Sequence, residues 1–98
     1  MNERLVLRGI EFSWDERKAA TNEARHGVPF RLAAEVFFDP LFRVEDATKA
    51  AQEMRQAILG MTRDWKVLYV VFTETTAGVR VISARQATTQ ERKRYEAQ

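Results

Sequence analysis

Four residues of this chain have the types needed to act together on a phosphodiester: Arg55, Glu74, Arg80 and Arg85. Arginine presents a planar fork of N–H donors that matches the geometry of a phosphate group. A carboxylate can accept the proton of a 2′-hydroxyl, while nearby cations stabilise the charge that develops on the phosphate oxygens. These residue types are sufficient in principle for RNA cleavage without a metal ion.

Three side chains are candidates for the base in such a reaction: Glu74, His26 and Lys18. Each also has an ordinary structural interpretation. A carboxylate near a turn is usually solvated, and a histidine just before a glycine is typical of a helix C-terminus. Strand arginines commonly pair with carboxylates across a sheet. Taken one residue at a time, these structural interpretations are favoured over the chemical ones.

Other chemistries lack the residues they need. The chain has no cysteine and one histidine, which excludes disulfides, thiolate zinc sites and cysteine nucleophiles. It has no glycine-rich phosphate loop and no nucleophile elbow. We therefore expect no metal site and no cofactor.

Composition predicts a single domain over residues 1–98, because chains split into separate cores only at greater length. Residues 51–98 hold eight basic and five acidic side chains, and twelve of the sixteen Lys and Arg residues are arginine. This excess fits a polyanionic partner, although charge alone favours a solvated, salt-bridged surface. With no membrane-length apolar run and no signal sequence, we expect a cytoplasmic protein.

Local signals predict helices at both ends of the chain. Ser13 and Glu16 have capping-box spacing, which predicts a helix from Ser13 to about His26, ended by Gly27 in the left-handed conformation. Pro29 is expected to begin a second helix that ends at residues 39–40.

A second capping box, from Thr88 to Glu91, predicts a charged C-terminal helix. Before it, residues 66–73 and 79–84 are expected to form paired strands, the first of them central in a sheet. Strict alternation along the second strand places Arg80 and Arg85 on opposite faces.

Residues 41–61 allow two interpretations. Apolar spacing favours a helix capped by Asp46 and ended by Gly60. The alternative is two strands, 41–46 and 54–61, joined by residues 47–53. A sheet of only two strands would be marginal, which favours the second interpretation.

Two stretches form extended motifs. The first contains Phe12, Trp14-Asp15, Lys18, Asn22, Arg25-His26-Gly27-Val28 and Phe30. The second contains Ile82-Ser83-Ala84-Arg85, Ala87-Thr88, Glu91-Arg92 and Tyr95-Glu96. Together they resemble the BrnT family, the toxins of type II toxin–antitoxin systems, and the resemblance covers nearly the whole chain in the right order.

The resemblance implies an α+β fold like that of the RelE ribonucleases: two N-terminal helices, a four-stranded antiparallel sheet and a C-terminal helix. It also supports strands at 41–46 and 54–61. The activity implied is that of an endoribonuclease that blocks translation. The implied partners are RNA and a cognate ribbon-helix-helix (BrnA-like) antitoxin that neutralises the toxin and carries the complex to operator DNA.

For the site, the resemblance favours Arg85 most, because it lies inside a matching motif. We expect Arg85 and Arg55 to bind the scissile phosphate, with Glu74 as base and Arg80 assisting. Contacts with RNA are expected from Lys18, His26 and Arg92, which match the motifs. The alternative function is a catalytically inactive RNA- or protein-binding module that acts only through its antitoxin complex.

Overall fold

The computed structural model describes residues 1–45 and 55–98. Its elements, in chain order, are β1 (Asn2–Leu7), β2 (Ile10–Asp15), α1 (Glu16–His26), α2 (Phe30–Glu35) followed by a 3₁₀ turn (Val36–Phe38), β3 (Arg43–Glu45), β4 (Gln56–Met61), β5 (Val67–Glu74), β6 (Gly78–Gln86) and α3 (Thr89–Glu96).

The fold is α+β, but the predicted four-stranded antiparallel sheet preceded by two helices is wrong. The described residues form a six-stranded mixed sheet in the order β1-β2-β6-β5-β4-β3, with three α-helices. Strands β2 and β6 pair in parallel, whereas the other neighbours pair antiparallel. The difference arises at the N-terminus, where a hairpin precedes α1.

That hairpin is formed by a two-residue turn, Arg8-Gly9, between two alternating segments. Both turn residues have positive φ, 51° and 81°, which is the backbone of a type I′ hairpin turn. Leu5 and Leu7 on β1, and Phe12 on β2, then face the main core. The alternation of apolar and polar residues over residues 2–15 is therefore the sequence pattern that indicates these two strands.

The hairpin also shifts the start of α1. Ser13 lies inside β2, so the predicted capping box with Glu16 does not form. Asp15 is the N-cap instead, and its side chain accepts a hydrogen bond from the backbone N–H of Arg17 at 2.8 Å. The predicted end of the helix is confirmed, because Gly27 has a left-handed φ of 71° and its N–H donates to the carbonyl of Glu23.

Helices α1 and α2 cover one face of the sheet. Phe30, Ala33 and Ala34 on α2 are buried against apolar side chains of β2, β5 and β6. The opposite face carries a smaller cluster in which Tyr95 of α3 packs against Leu59 and Val67. We call this second face the α3 face.

The strand interpretation of the middle segment is supported where the structure describes it. Strand β3 lies within the predicted 41–46 and β4 within the predicted 54–61, while the joining residues 47–53 lie outside the described residues. Strands β5 and β6 confirm the predictions at 66–73 and 79–84, and β5 is central between β4 and β6. The Thr88–Glu91 capping box is present at the start of α3.

Among residues 1–45 and 55–98, no helix is both long and apolar enough to cross a membrane.

Candidate functional site

The α3 face carries a row of side chains that crosses four strands. Arg43 pairs with Leu59, Leu59 with Tyr69, and Tyr69 with Arg85. Directly paired residues share a face, and neighbouring strands lie about 4.8 Å apart. Arg43 and Arg85 therefore lie at opposite ends of one row, with Tyr69 between them.

A bulge in β6 determines which arginines belong to this face. Val71 pairs with Ser83 but Phe72 pairs with Val81, so Ile82 has no residue opposite it on β5. An extra residue reverses the alternation beyond it. Arg80 and Arg85 consequently lie on the same face, and the prediction that they lie on opposite faces is wrong.

Arg85 is held mainly by Glu91 and Tyr69, and its Nη1 also donates to the carbonyl of Gln86 at 3.3 Å. Its Nη1 and Nη2 donate to Oε1 and Oε2 of Glu91 at 2.7 and 2.9 Å, a bidentate ion pair. Its guanidinium also lies over the ring of Tyr69, 4.3 Å from the centroid. The side chain as a whole remains 34% exposed, so Arg85 is fixed in place without being fully covered.

Glu91 serves both Arg85 and the start of α3. Its Oε1 accepts from the backbone N–H of Thr88 at 2.9 Å, which completes the capping box. The hydrogen bonds from Arg85, followed by those from Thr88, lower the pKa of Glu91 to about 2 despite its burial. A carboxylate this acidic is a weak proton acceptor, so Glu91 fits the role of holding Arg85 better than that of a base.

A second group of charges lies at the other end of the row. Glu45 accepts from Arg43 Nε at 3.0 Å through Oε2, and from Arg94 Nη2 at 2.7 Å through Oε1. One carboxylate therefore neutralises two guanidinium groups only in part. The hydrogen bond with Glu45 raises the pKa of Arg94, which is charged at any physiological pH.

These groups surround a cleft of about 550 Å³ between the sheet and α3. We call it the arginine cleft, and it is lined by Arg43, Val44, Glu45, Tyr69, Glu91 and Arg94. Arg85 adjoins it through Tyr69 and Glu91. Counted with Arg85, the cleft brings three guanidinium groups to two carboxylates, an arrangement suited to binding an anion.

A buried tyrosine fixes α3 over this cleft. Tyr95 donates its hydroxyl hydrogen to Asp39 Oδ2, which also accepts from the backbone N–H of Met61. Burial, reinforced by Asp39, raises the pKa of Tyr95 to about 12. Burial opposes ionisation of Asp39, but the bonds from Tyr95, Leu41 and Met61 keep its pKa below the ordinary value.

The other predicted catalytic residues lie at the far end of the strands. Glu74 accepts a 3.4 Å hydrogen bond from Gln56, Arg80 donates to Asn2 at 3.2 Å, and Arg55 immediately precedes β4. Arg80 pairs with Thr73, four residues along β5 from Tyr69, so it lies about 13 Å from Arg85 along the sheet.

Glu74 follows Thr73 and points to the face covered by α1 and α2. The structure thus gathers Arg55, Glu74 and Arg80 at one end of the sheet and places Arg85 at the other.

The predicted RNA-binding residues are also dispersed. Lys18 and His26 are exposed on α1, on the opposite side of the sheet from α3. Between them Asn22 is buried and bonded to β6. Arg92 is on α3, as is Arg94, and pairs with Glu96 at 3.2 Å.

Sequence reasoning missed most of the arginine cleft. The sequence predicted Glu91 only as a capping residue of the C-terminal helix, and Tyr69 only as part of an apolar strand. Arg43, Glu45 and Arg94 have no local signal, because their proximity depends on the pairing of β3 with β4 and on the position of α3. Within the described parts of the chain, no group of three or more His, Cys, Asp or Glu side chains could hold a metal ion.

Comparisons with known proteins agree with the resemblance in the motifs. The family model described as "Ribonuclease toxin, BrnT, of type II toxin-antitoxin system" matches residues 14–91. The crystal structure of the Brucella abortus ribonuclease toxin BrnT is similar to this chain, with a TM-score of 0.61 and 33% identity. That match covers 78% of this chain and 94% of the Brucella chain. No curated protein sequence matches the chain significantly.

Proposed function

The chain belongs to the BrnT family of ribonuclease toxins of type II toxin–antitoxin systems, and we propose that it is a metal-independent endoribonuclease with its phosphate site in the arginine cleft. The observation that carries this proposal is the fixed guanidinium of Arg85, held by Glu91 and Tyr69 at the edge of the cleft. A preorganised cation of this kind stabilises developing charge without reorganising during the reaction.

The proposed reaction is attack of a ribose 2′-hydroxyl on the adjacent phosphorus. The O2′–P bond forms, the P–O5′ bond breaks, and the products carry a 2′,3′-cyclic phosphate and a free 5′-hydroxyl. The 2′-hydroxyl proton passes to a base and the leaving oxygen takes up a proton. Arg85 would stabilise the extra negative charge of the phosphorane, and Arg43 and Arg94 add to the positive potential.

Glu74 as the base, Arg55 as a ligand of the scissile phosphate and Arg80 as an assisting residue stay predictions. These three residues lie at the far end of the sheet, where Glu74 points to the opposite face from Arg80, so they would contact a different part of a bound RNA from the part at Arg85. A Glu74→Gln variant tests whether Glu74 is the base. If it is, the substitution lowers kcat without weakening RNA binding. If the chemistry takes place at the arginine cleft without Glu74, kcat stays at the wild-type value.

The proposed biological role follows the family. Cleavage of RNA in the cytoplasm would inhibit translation, and a cognate antitoxin of ribbon-helix-helix type would neutralise the toxin. That antitoxin would also carry the complex to operator DNA. The cleft supports such neutralisation, because an acidic segment of a partner would compete with RNA for its arginines.

The decisive experiment is incubation of the purified protein with RNA, with and without EDTA, followed by analysis of the product ends. We expect cleavage that survives EDTA and yields 2′,3′-cyclic phosphates. Cleavage that requires a metal ion would contradict the mechanism. A folded protein that binds RNA but never cleaves it would instead support the inactive binding module.

A further inference from the structure

We propose that Arg43 and Arg94 form a second phosphate-binding subsite, so that the arginine cleft holds single-stranded RNA by two phosphates, one at this pair and one at Arg85. The inference rests on the proposed ribonuclease function and specifies its substrate: an oligonucleotide with a phosphate beside the scissile one. We call this pair, with the carboxylate they share, the Glu45 subsite.

The charge of the Glu45 subsite supports an anionic ligand. Two guanidinium groups share one carboxylate, which leaves a net positive charge. The Glu45 side chain is 10% exposed, whereas Arg43 and Arg94 are 41% and 44% exposed. The carboxylate side chain is therefore the more buried member, and the two arginine side chains are the more exposed ones.

Both arginines also keep donors for a ligand. A guanidinium has five N–H donors. Within the described residues, Arg43 donates only through Nε, and Arg94 through Nε and Nη2. Glu45 orients both forks and leaves their other N–H groups for a phosphate, which accepts two parallel hydrogen bonds from a guanidinium.

The subsite lies within the arginine cleft, and Arg85 lies at the edge of the same cleft. Arg43 and Arg85 are three strand spacings apart, which is about 14 Å between their backbones. The guanidinium of Arg85 lies over Tyr69, one strand nearer to Arg43, which shortens the distance between the two binding points. Tyr69 and Glu91 contact Arg85 and also line the cleft beside Arg94, so the two binding points are continuous.

The test compares binding of two non-cleavable 2′-O-methyl RNAs, a dinucleotide with one phosphate and a trinucleotide with two, by fluorescence anisotropy. We expect the wild-type protein to bind the trinucleotide about tenfold more tightly, the size of one charged hydrogen-bonded contact. Combined Arg43→Gln and Arg94→Gln substitutions should abolish this preference and leave dinucleotide affinity nearly unchanged. Glutamine keeps a donor for Glu45, which protects the fold.

Two further variants sharpen the result. Arg85→Ala should weaken binding of both RNAs and keep the ratio of their affinities. Lys93→Ala removes an exposed charge from α3, the helix that carries Arg94, and should change neither affinity. The salt dependence of trinucleotide binding should also become shallower in the double variant, by about 0.7 in the slope of log K against log salt per lost phosphate.

Two outcomes would overturn the subsite: no trinucleotide preference in the wild type, or a double variant that retains it. Failure of the ribonuclease proposal has a different signature. In that case the wild-type protein cleaves no RNA but still prefers the trinucleotide, and the double variant loses this preference. That combination would support the Glu45 subsite and refute catalysis.

Discussion

The side-chain amide of Asn22 hydrogen-bonds both backbone groups of Ala84, the residue before Arg85. Its Nδ2 donates to the Ala84 carbonyl at 2.7 Å, and its Oδ1 accepts from the Ala84 N–H at 3.1 Å. The Asn22 amide thus takes the place of a neighbouring strand beside β6, where β2 has already diverged. Through this pair, α1 on one face helps to fix the backbone that presents Arg85 on the other.

Asn22→Ala should therefore be strongly destabilising. Both backbone groups of Ala84 would lose a buried partner, and each such loss costs about 1–3 kcal/mol. We expect the free energy of unfolding, measured by urea denaturation, to fall by about 2–4 kcal/mol. The exposed neighbour Glu23 provides the control, since Glu23→Ala should change stability by less than about 0.5 kcal/mol. Equal effects of the two substitutions would contradict this role of Asn22.

The ion pair between Glu91 and Arg85 predicts a specific dependence of stability on pH. The folded-state pKa of Glu91 is about 2, against an ordinary value of 4.5. A lowered pKa means that the pair stabilises the fold above about pH 4.5, and that this stabilisation is lost as the pH falls towards 2. Because Arg85 is partly exposed, we expect about 2 kcal/mol at neutral pH.

The measurement is the free energy of unfolding of the wild type and of Glu91→Gln between neutral and acidic pH. The difference between the two proteins should be largest near neutrality and shrink below pH 4.5. Glu96→Gln, a change at an exposed residue of the same helix, should show a much smaller pH-dependent difference. A constant difference for Glu91→Gln across this range would mean that the carboxylate charge contributes nothing.

Sequence reasoning located the elements whose signals are local. The apolar strands β5 and β6, the Gly27 cap and the Thr88 capping box all depend on residues within a few positions of each other. The N-terminal hairpin was also encoded locally, by alternation around Arg8-Gly9. It was not predicted because the capping-box spacing at Ser13 favours a helix that begins there. In the structure Ser13 instead pairs with Arg80 on β6, and this strand pairing outweighs the local helical preference.

The site was harder to predict because it depends on long-range pairing. Arg85 was identified from its motif, but its neighbours are set by the register of β5 and by the bulge opposite Phe72. Nothing in the spacing of residues 79–85 reveals that bulge. The approach of Arg94 to Glu45 likewise joins residues 49 positions apart.

The tyrosine that anchors α3 should titrate abnormally. The chain has two tyrosines, and the pKa of Tyr95 is raised to about 12 from an ordinary 10.0. Because its folded-state pKa is raised, Tyr95 stabilises the fold fully below about pH 10, and this stabilisation is lost as the pH rises towards 12. Ultraviolet absorbance of tyrosinate should show a late ionisation that is missing in Tyr95→Phe.

Tyr95→Phe should also lower the free energy of unfolding by about 1–2 kcal/mol, because Asp39 loses a buried donor. Tyr69→Phe is the matched control, since that substitution should leave the late ionisation in place. If Tyr95→Phe left the absorbance titration unchanged, the assignment of the raised pKa to Tyr95 would be wrong.

Substitution of Arg85 should affect catalysis more than stability. Removing one preorganised donor to a transition-state oxygen costs about 2–4 kcal/mol, so Arg85→Ala should lower kcat/KM for RNA cleavage by about 10²–10³-fold. Arg85→Lys should recover only part of this loss, because an ammonium group cannot form the bidentate pair with Glu91 or stack in the same way on Tyr69. When these proteins are expressed in cells, growth arrest and RNA loss should be strongest for the wild type, weaker for Arg85→Lys and weakest for Arg85→Ala.

Arg17→Ala is the matched control for this series, because Arg17 is exposed on α1, on the other side of the sheet from the arginine cleft. Its cleavage rate should equal that of the wild type. Thermal unfolding of each variant shows whether a loss of activity follows a loss of fold. A folded Arg85→Ala protein that cleaves RNA and arrests growth at the wild-type level would remove Arg85 from the site. The group of Arg55, Glu74 and Arg80 at the far end of the sheet would then be the place to seek the chemistry.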